Sequence, residues 1–164
     1  MLNKDTRVLA IDPGYERMGI AVLEKKDGRE IVLFSDCIKT SPKIPHSERL
    51  AILSRAVEAC VKEWKPNVCA IESLFFGKNR KTAILVAEAR GAVLSIVSRL
   101  GLLVFEYVPS AVKIAVTSHG GSDKRQIEFM LGKLVSIEKE IEHDDEYDAI
   151  AVGLTHLISR KKTS

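Results

Sequence analysis

The sequence predicts an α/β fold in which a five-stranded mixed sheet is flanked by helices. Three strand-like apolar runs follow one another within the first 40 residues and are joined by short connections, so we expect them to pair antiparallel. Beyond them, helical and strand-like segments alternate, which is typical of parallel strands joined by crossover helices. The length of 164 residues fits one domain over 1–164 and is enough for a substantial core.

The antiparallel strands are predicted at residues 6–11, 18–23 and 31–38. After the first strand, Pro13 and Gly14 bend the chain. After the second strand, Asp27 and Gly28 supply the positive φ that a tight hairpin turn requires. These connections are too short for crossover helices, so the three strands should form one antiparallel unit.

Helices and strands alternate in the rest of the chain. Apolar residues from Leu50 to Trp64 recur with helical spacing until Pro66 stops the helix. A buried strand at 67–74 follows, and the handedness of crossover connections makes it parallel to the first strand. The remaining predicted elements are a helix at 80–100, a strand at 102–108, and helices at 109–116, 124–134 and 143–159.

The composition, with 46% hydrophobic and 29% charged residues, is typical of a soluble globular protein. No apolar stretch approaches the roughly 20 residues that cross a bilayer, and the N-terminus lacks the apolar core of a signal peptide, so we expect a cytoplasmic location and no membrane partner. The three cysteines are scattered and give no sign of a zinc or disulfide framework. The net charge of +3 is small, and the basic tail at about 160–164 is read as a solvated end.

Four carboxylates occupy positions that the predicted fold would bring together. Asp12 follows the first strand, Glu72 lies in the strand after the crossover helix, and Asp145 and Asp148 stand at i and i+3 near the start of the last helix. Neighbouring strands would place Asp12 and Glu72 at one level of the sheet, and an i, i+3 pair shares one helix face. Such acids raise one another's pKa unless one or two Mg²⁺ ions, or Mn²⁺ in their place, relieve the repulsion. Two metal ions in one active site would support hydrolysis of a nucleic-acid strand.

Each of these acids also has an ordinary structural explanation. Asp12 begins Asp-Pro-Gly, which is a common turn sequence. Asp145 and Asp148 would favour the positive end of a helix dipole without binding any ligand. Asp144 adjoins Asp145 and is an alternative ligand, although the i, i+3 spacing to Asp148 favours Asp145. The combination of all four acids in one predicted place favours the metal site.

Four blocks of the sequence resemble the signature blocks of the RuvC family, the bacterial Holliday junction resolvases. They are Ile11-Asp12-Pro13-Gly14 with Gly19 beyond, Ile71-Glu72-Ser73-Leu74-Phe75, Tyr107-x-Pro109-x-x-Val112-Lys113, and Asp145-x-x-Asp148-Ala149-Ile150-Ala151 with His156 beyond. The resemblance implies a ribonuclease H-like fold and a homodimer that binds a four-way DNA junction and cuts two strands of like polarity symmetrically. It also implies a branch-migration complex of RuvA and RuvB as a partner, which the residues themselves do not indicate.

The same resemblance assigns roles to individual residues. Asp12, Glu72, Asp145 and Asp148 resemble the family's metal-binding catalytic acids. Phe75 resembles an aromatic residue that stacks on a base near the unpaired centre of the junction. Lys113 and Lys124 resemble basic residues that contact the scissile phosphate or its neighbours. Taken alone, Phe75 would be read as a core aromatic and the two lysines as surface charges.

The predicted helix at 80–100 is a candidate for both DNA and dimer contacts. Lys78, Arg80 and Lys81 lie at its N-terminal end, where we expect them to face DNA. Its apolar face is broader than one side of a sheet requires and includes small residues that permit close helix approach, namely Ala83, Ala87, Ala89 and Ala92. A junction with two equivalent strands is matched by a two-fold dimer, so we expect this helix to form the dimer contact.

Two positions depart from the family pattern. Met18 stands where the family usually has threonine before the second glycine of the first block. Ser118 stands where glycine is common in a Thr-Gly-x-Gly loop before Lys124. Serine has less backbone freedom than glycine, so the details of the DNA-contacting loop are the part that these departures affect.

Three other functions are compatible with parts of this pattern. Half of a sugar-kinase or actin-like ATPase would use a similar Asp-x-Gly turn, but such proteins need two lobes and 164 residues supply one. A non-catalytic nucleic-acid binding module would have no use for four acids that repel phosphate. The nearest alternative is another ribonuclease H-like nuclease that acts on RNA or on an RNA–DNA hybrid, and only Phe75, the lysines and the blocks above separate it from a resolvase.

Overall fold

The structure, a computed structural model, describes residues 6–74 and 79–159. Its strands are β1 Arg7–Asp12, β2 Arg17–Lys26, β3 Arg29–Lys39, β4 Val68–Glu72, β5 Leu103–Tyr107 and β6 Val135–Ser136. They form one mixed sheet in the order β5-β4-β1-β2-β3-β6. The helices are α1 His46–Trp64, α2 Arg80–Arg99, α3 Pro109–Thr117, α4 Lys124–Leu134 and α5 Asp144–Ser159. The predicted class, an α/β fold with a mixed sheet flanked by helices, is confirmed.

The sheet has six strands where the sequence predicted five. The additional strand, β6, has only two residues and begins directly after α4. It pairs parallel with β3, with Val135 opposite Glu30. Two residues are too few to show the alternating pattern by which a strand is recognised in a sequence.

Strand β1 lies in the middle of the sheet and has a different kind of partner on each side. It pairs antiparallel with β2, where Asp12 is opposite Gly19. It pairs parallel with β4, where Ile11 is opposite Ile71. Because the register continues by one residue on each parallel strand, Asp12 and Glu72 emerge at the same edge of the sheet.

The two faces of the sheet are covered by different helices. Alternate side chains of a strand point to opposite faces, and in β1 the pair Val8 and Ala10 packs with residues of α3, α4 and α5. The intervening pair, Leu9 and Ile11, packs with residues of α1 and α2. All four side chains are fully buried, which explains why this strand reads as a continuous apolar run.

Helix α5 lies unusually close to the sheet, and two glycines permit this approach. A Cβ on Gly19 of β2 would lie 1.9 Å from the backbone carbonyl oxygen of Asp145. A Cβ on Gly153 of α5 would lie 2.5 Å from Cδ1 of Leu23. Both distances are far shorter than a van der Waals contact. The start of α5 is therefore held directly against β2, beside the end of β1.

Some predicted residues lie outside the described ranges. They are Phe75, Lys78 and the basic tail at about 160–164. Within 6–74 and 79–159, no helix is both long enough and apolar enough to cross a membrane.

Candidate active site

Three of the four predicted acids line one cavity of about 410 Å³. Asp12 comes from the end of β1, Glu72 from the end of β4, and Asp148 from the second turn of α5. Asp12 and Glu72 also line an adjoining cavity of about 170 Å³ that extends toward Ser73 and Leu74. Three distant segments of the chain therefore bring carboxylates to one cavity.

The electrostatics of these acids are unfavourable in the absence of a cation. Burial, followed by the charges of Asp148, Glu72 and Asp145, raises the pKa of Asp12 to about 8. Burial, followed by the charge of Asp148, raises the pKa of Glu72 to about 7. The pKa of Asp148 is also raised, again chiefly by burial. These acids would ionise readily only if a positive group joined them.

Two lysines border the same cavity from the helices opposite the sheet. Lys113 lies on α3, and its charge lowers the pKa of Glu72 against the effect of burial. Lys124 begins α4, and its Nζ is 3.1 Å from Oδ2 of Asp144 and 4.0 Å from Oδ2 of Asp148. Both side chains were predicted to lie beside the acids, and the cavity brings them there.

Lys124 is held at the mouth of the cavity by a well-defined helix start. The carboxylate of Asp123 accepts a hydrogen bond from the backbone N–H of Gln126, and the side chain of Gln126 accepts one from the N–H of Asp123. This reciprocal capping box fixes the first turn of α4. The neighbouring Ser122 is buried and lines the cavity.

Asp145 is arranged differently from the other three predicted acids. Among the described residues that line the cavity, Asp145 is absent. Its Oδ2 lies 2.5 Å from Nη2 of Arg17, which begins β2, and 3.6 Å from Sγ of Cys37 on β3. Its charge nevertheless raises the pKa of both Asp12 and Asp148, so it lies beside them. Sequence reasoning did not identify Arg17 as part of this site.

The chemistry of the donors fits a hard divalent cation. The acids that line the cavity offer only carboxylate oxygens, which Mg²⁺ and Mn²⁺ prefer. In the described part of the chain, however, no three His, Cys, Asp or Glu side chains already stand close enough together to hold an ion. Side-chain rotation at the cavity would have to accompany metal binding.

The start of α5 is anchored by a buried acid next to Asp145. Glu146 is 2% exposed, and its Oε2 accepts hydrogen bonds from Oγ of Ser35 and from Nζ of Lys139, both at 2.6 Å. Removing one partner of a buried charge network is strongly destabilising. Glu146 therefore fixes the helix turn that carries Asp145 onto β3.

Arg90 links helix α2 to the strand that carries Glu72. Its Nε is 3.4 Å from the backbone carbonyl oxygen of Glu72, and its guanidinium also contacts the carboxylate of Glu106 on β5. The Arg90 side chain is 14% exposed, so this contact is largely shielded from solvent. The position of Glu72 therefore depends on a helix outside the cavity, which the sequence did not suggest.

Two more predicted DNA contacts lie in the described ranges. Arg80 and Lys81 are exposed in the first turn of α2, which contains no acidic residue. Cations at that end oppose the helix dipole, so a purely structural role would have favoured acids there.

Ser118, the departure noted in the loop before Lys124, has φ +62° at the end of α3. This left-handed conformation is the one that glycine adopts without strain.

The sequence of this chain is similar to a family of known proteins. The sequence model of the family described as "Crossover junction endodeoxyribonuclease RuvC" matches residues 8–156. The chain is 41% identical over 149 residues to a protein of that name from Desulfitobacterium hafniense, covering 91% of this chain and 90% of the relative.

Solved structures agree with the sequence comparison. A structure of Thermus thermophilus RuvC in complex with a Holliday junction substrate matches with a TM-score of 0.88 and 29% identity, covering 95% of each chain. The yeast mitochondrial Holliday junction resolvase matches with a TM-score of 0.68 over 92% of this chain and 78% of that one, and at 12% identity it shows likeness of fold alone.

Proposed function

Because the chain belongs to the crossover junction endodeoxyribonuclease RuvC family, we propose that it resolves four-way DNA junctions by metal-dependent hydrolysis of two strands of like polarity. The observation that supports this most is the pair of strand-end acids, Asp12 and Glu72, whose pKa values are raised to about 8 and about 7 in a cavity bordered by two lysines. The relatives are named for crossover junction DNA, so the alternative of an RNA or RNA–DNA hybrid substrate is not favoured.

The acids would hold divalent metal, which we propose to be Mg²⁺, with Mn²⁺ as a substitute and two ions in each active site. Asp12, Glu72 and Asp148 line the cavity and would be the first ligands, and Asp145 would join them by turning away from Arg17. When bound, the metal would supply a nucleophilic water at neutral pH and stabilise the leaving oxygen.

The other residues of the cavity would bind and orient the scissile strand. Lys113 and Lys124 stand on the two helices opposite the acids, where their ammonium groups can contact phosphate oxygens. The wall between them is apolar, formed by Val112, Ile127 and Ala151. An apolar wall limits competing water, which strengthens the interaction of charged groups inside the site.

We propose that the first turn of α2 binds the DNA backbone beyond the cleavage site. Arg80 and Lys81 are exposed there, and the free backbone N–H groups of a helix N-terminus add to the positive potential. Contacts of this kind make affinity fall steeply with salt. Phe75 and Lys78 precede this turn in the sequence. We propose base stacking by Phe75 from the family resemblance and DNA contact by Lys78 from its place in the sequence.

We also propose that the protein is a homodimer in which α2 forms the contact. The outward face of α2 carries Ile84, which is 57% exposed, and Gly91, whose missing Cβ would meet no atom within 4 Å. A glycine in a helix interior costs about 1 kcal/mol relative to alanine. Nothing in the described part of this subunit requires that glycine, whereas a partner helix in close contact would.

A matched pair of glycines tests the dimer. Gly132 of α4 is also exposed and has no atom within 4 Å of its missing Cβ. We expect G91R to give monomers and G132R to leave dimers in analytical ultracentrifugation at micromolar concentration. A monomeric wild type, or a G91R variant that remains dimeric, would contradict the proposed contact.

Three further proposals are supported by the family or by the sequence alone. We propose RuvA and RuvB as the branch-migration partners, a single domain over residues 1–164, and a cytoplasmic location. Pull-down of the full chain with purified RuvA and RuvB, in the presence of junction DNA, would test the first of these directly.

The principal experiment compares substrates and metals. A synthetic four-way junction, a plain duplex and an RNA–DNA hybrid would each be incubated with the full chain and with Mg²⁺, Mn²⁺ or chelator. We expect paired symmetric nicks on the junction alone, and none with chelator. Cleavage of the hybrid in preference to the junction would overturn the proposed substrate.

A further inference from the structure

Arg17 and Asp145 form a contact that the proposed chemistry does not require. Nη2 of Arg17 lies 2.5 Å from Oδ2 of Asp145, and the thiol of Cys37 is 3.6 Å from the same oxygen. The Arg17 side chain is 46% exposed and that of Asp145 is 22% exposed. The carboxylate of Asp145 is therefore occupied on the β2–β3 side, while Asp12, Glu72 and Asp148 face the cavity.

We propose that Arg17 is a positioning residue that competes with divalent metal for Asp145. This inference rests on the proposed function, since it takes the four acids to be metal ligands. While the ion pair holds, the site offers an incoming ion three carboxylates and a nearby positive charge. When Asp145 leaves Arg17, the fourth carboxylate becomes available to the metal.

The chemistry of the guanidinium suits this competition. Arginine stays protonated under all ordinary conditions, so the competing charge is always present. Its planar N–H groups match the oxygens of a carboxylate, which favours a defined contact over a diffuse attraction. An ion pair that is partly exposed contributes little net stability, so a metal ion of higher charge can displace it.

Lys124 is not placed to compete with metal for Asp145. Its Nζ lies 3.1 Å from Oδ2 of Asp144 and 4.0 Å from Asp148, and its side chain is 65% exposed. It therefore pairs with a neighbouring acid at the mouth of the cavity. Among the described ion pairs, the cation that engages Asp145 is Arg17.

Metal binding without DNA tests the proposal. Titration of the full chain with Mn²⁺, followed by isothermal calorimetry and by the electron paramagnetic resonance signal of free Mn²⁺, reports affinity independently of cleavage. We expect R17Q to bind Mn²⁺ about two- to five-fold more tightly than wild type, an effect of the size that a partly exposed ion pair supports. R17K keeps the charge but loses the planar N–H groups, so its affinity should lie between those of wild type and R17Q.

A double-mutant cycle shows whether the effect passes through Asp145. In a D145N background, R17Q should leave the affinity for Mn²⁺ unchanged, because the contact it would remove is already absent. An equal gain in Mn²⁺ affinity with Asp145 present and in the D145N background would overturn the proposal. It would mean that the charge of Arg17 simply repels the metal ion. An unchanged or weaker affinity in R17Q, with the circular dichroism and melting temperature of wild type, would also overturn it. If wild type binds no divalent metal, the proposed function fails. If wild type binds metal but R17Q shows no gain in affinity, only the role of Arg17 fails.

Discussion

The acids at the strand ends and the acids at the start of α5 carry the same charge but have opposite surroundings. Asp12 and Glu72 are half-buried and line one cavity with Asp148, and their pKa values are raised to about 8 and about 7. Asp144 and Asp145 are each bonded to a basic residue, Lys124 and Arg17. The pKa of Asp144 is accordingly lowered, chiefly by its hydrogen bond to Lys124.

This difference suggests how the proposed metal site would be arranged before metal binds. The strand-end acids cannot move far, because their backbones belong to paired strands in the middle of the sheet. Their repulsion is relieved by protons at neutral pH, and a cation could take the place of those protons. The acids at the helix start can turn, and the chain's own cations neutralise them. In the proposed metal site, the rigid part would therefore attract the ion, and the adjustable part would complete the coordination.

The largest expected effect is the difference between neutralising a strand-end acid and neutralising an acid at the start of α5. D12N should lower the rate of junction cleavage by about 10³-fold or more while junction binding is retained, because a ligand that cannot move has no substitute. D144N removes an exposed acid that pairs with Lys124 and should keep the rate within about ten-fold of wild type. Single-turnover cleavage of a labelled junction measures both. A D144N variant as inactive as D12N would mean that Asp144, and not Asp145, is the ligand.

A substitution at Gly19, which lies between Asp12 and the start of α5, should have the next largest effect, a loss of stability. Gly19 pairs with Asp12 in the sheet and lies under the backbone of Asp145. G19A would place a methyl group 1.9 Å from the Asp145 carbonyl oxygen, so we expect a loss of about 3 kcal/mol in the free energy of unfolding. Urea denaturation measures this change.

Gly120 supplies the control for this substitution. Its nearest neighbour to a new Cβ is Ile114 Cγ1 at 3.6 Å, which is an ordinary contact. G120A should therefore change the free energy of unfolding by no more than about 0.5 kcal/mol. Equal losses in G19A and G120A would show that helix α5 does not press on β2 as described.

The strand-end acids should also make the metal-free protein less stable as the pH rises. The folded-state pKa values of Asp12 and Glu72, about 8 and about 7, exceed their ordinary values of 3.8 and 4.5. Between those limits the folded state binds protons that the unfolded state has released, so the free energy of unfolding falls with rising pH. With chelator present, we expect a loss on the order of a few kcal/mol between pH 5 and pH 8.

Variants of the two strand-end acids test whether these acids cause the fall in the free energy of unfolding with rising pH. D12N and E72Q should each flatten it in urea denaturation, since each removes one group with a raised pKa. Millimolar Mg²⁺ should remove most of it in wild type, because a bound cation favours the ionised form. A metal-free protein whose stability is the same at pH 5 and pH 8 would contradict the described burial of the two acids.

The smallest expected effect concerns the loop before Lys124. Ser118 and Lys65 both end a helix in the left-handed conformation, with φ values of +62° and +50°. Replacing either by glycine should raise the free energy of unfolding by about 0.5–1 kcal/mol, since glycine relieves the strain. Thermal denaturation of S118G and K65G measures the gain. If K65G gains stability and S118G loses it, the serine side chain has a role in the loop that its backbone angles do not reveal.

The sequence predicted the rigid part of this site better than the adjustable part. Asp12 and Glu72 end apolar runs whose pairing follows from general rules of sheet topology, so their meeting point could be inferred. The contact of Arg17 with Asp145 could not be inferred in this way, because a long side chain has many rotamers and its partner is set by tertiary packing. Strand β6 was missed for a simpler reason, since two residues carry no period.

Family likeness supplied what the physical rules could not. Without it, Lys113 and Lys124 would have been read as surface charges, although they border the cavity. Ser118 shows the reverse case, because a departure from the family pattern marks a position with unusual backbone angles. Local chemistry and backbone geometry were thus partly readable from the sequence, but the pairing of individual charges was not.

The contact between Arg90 and the Glu72 carbonyl ties one wall of the cavity to a helix on the far face of the sheet. Through this one shielded side chain, a shift of α2 would be transmitted to the end of β4, where Glu72 enters the cavity. If α2 forms the dimer contact proposed above, pairing of two subunits would steady Glu72 in both cavities at once, and a lone subunit would cut poorly.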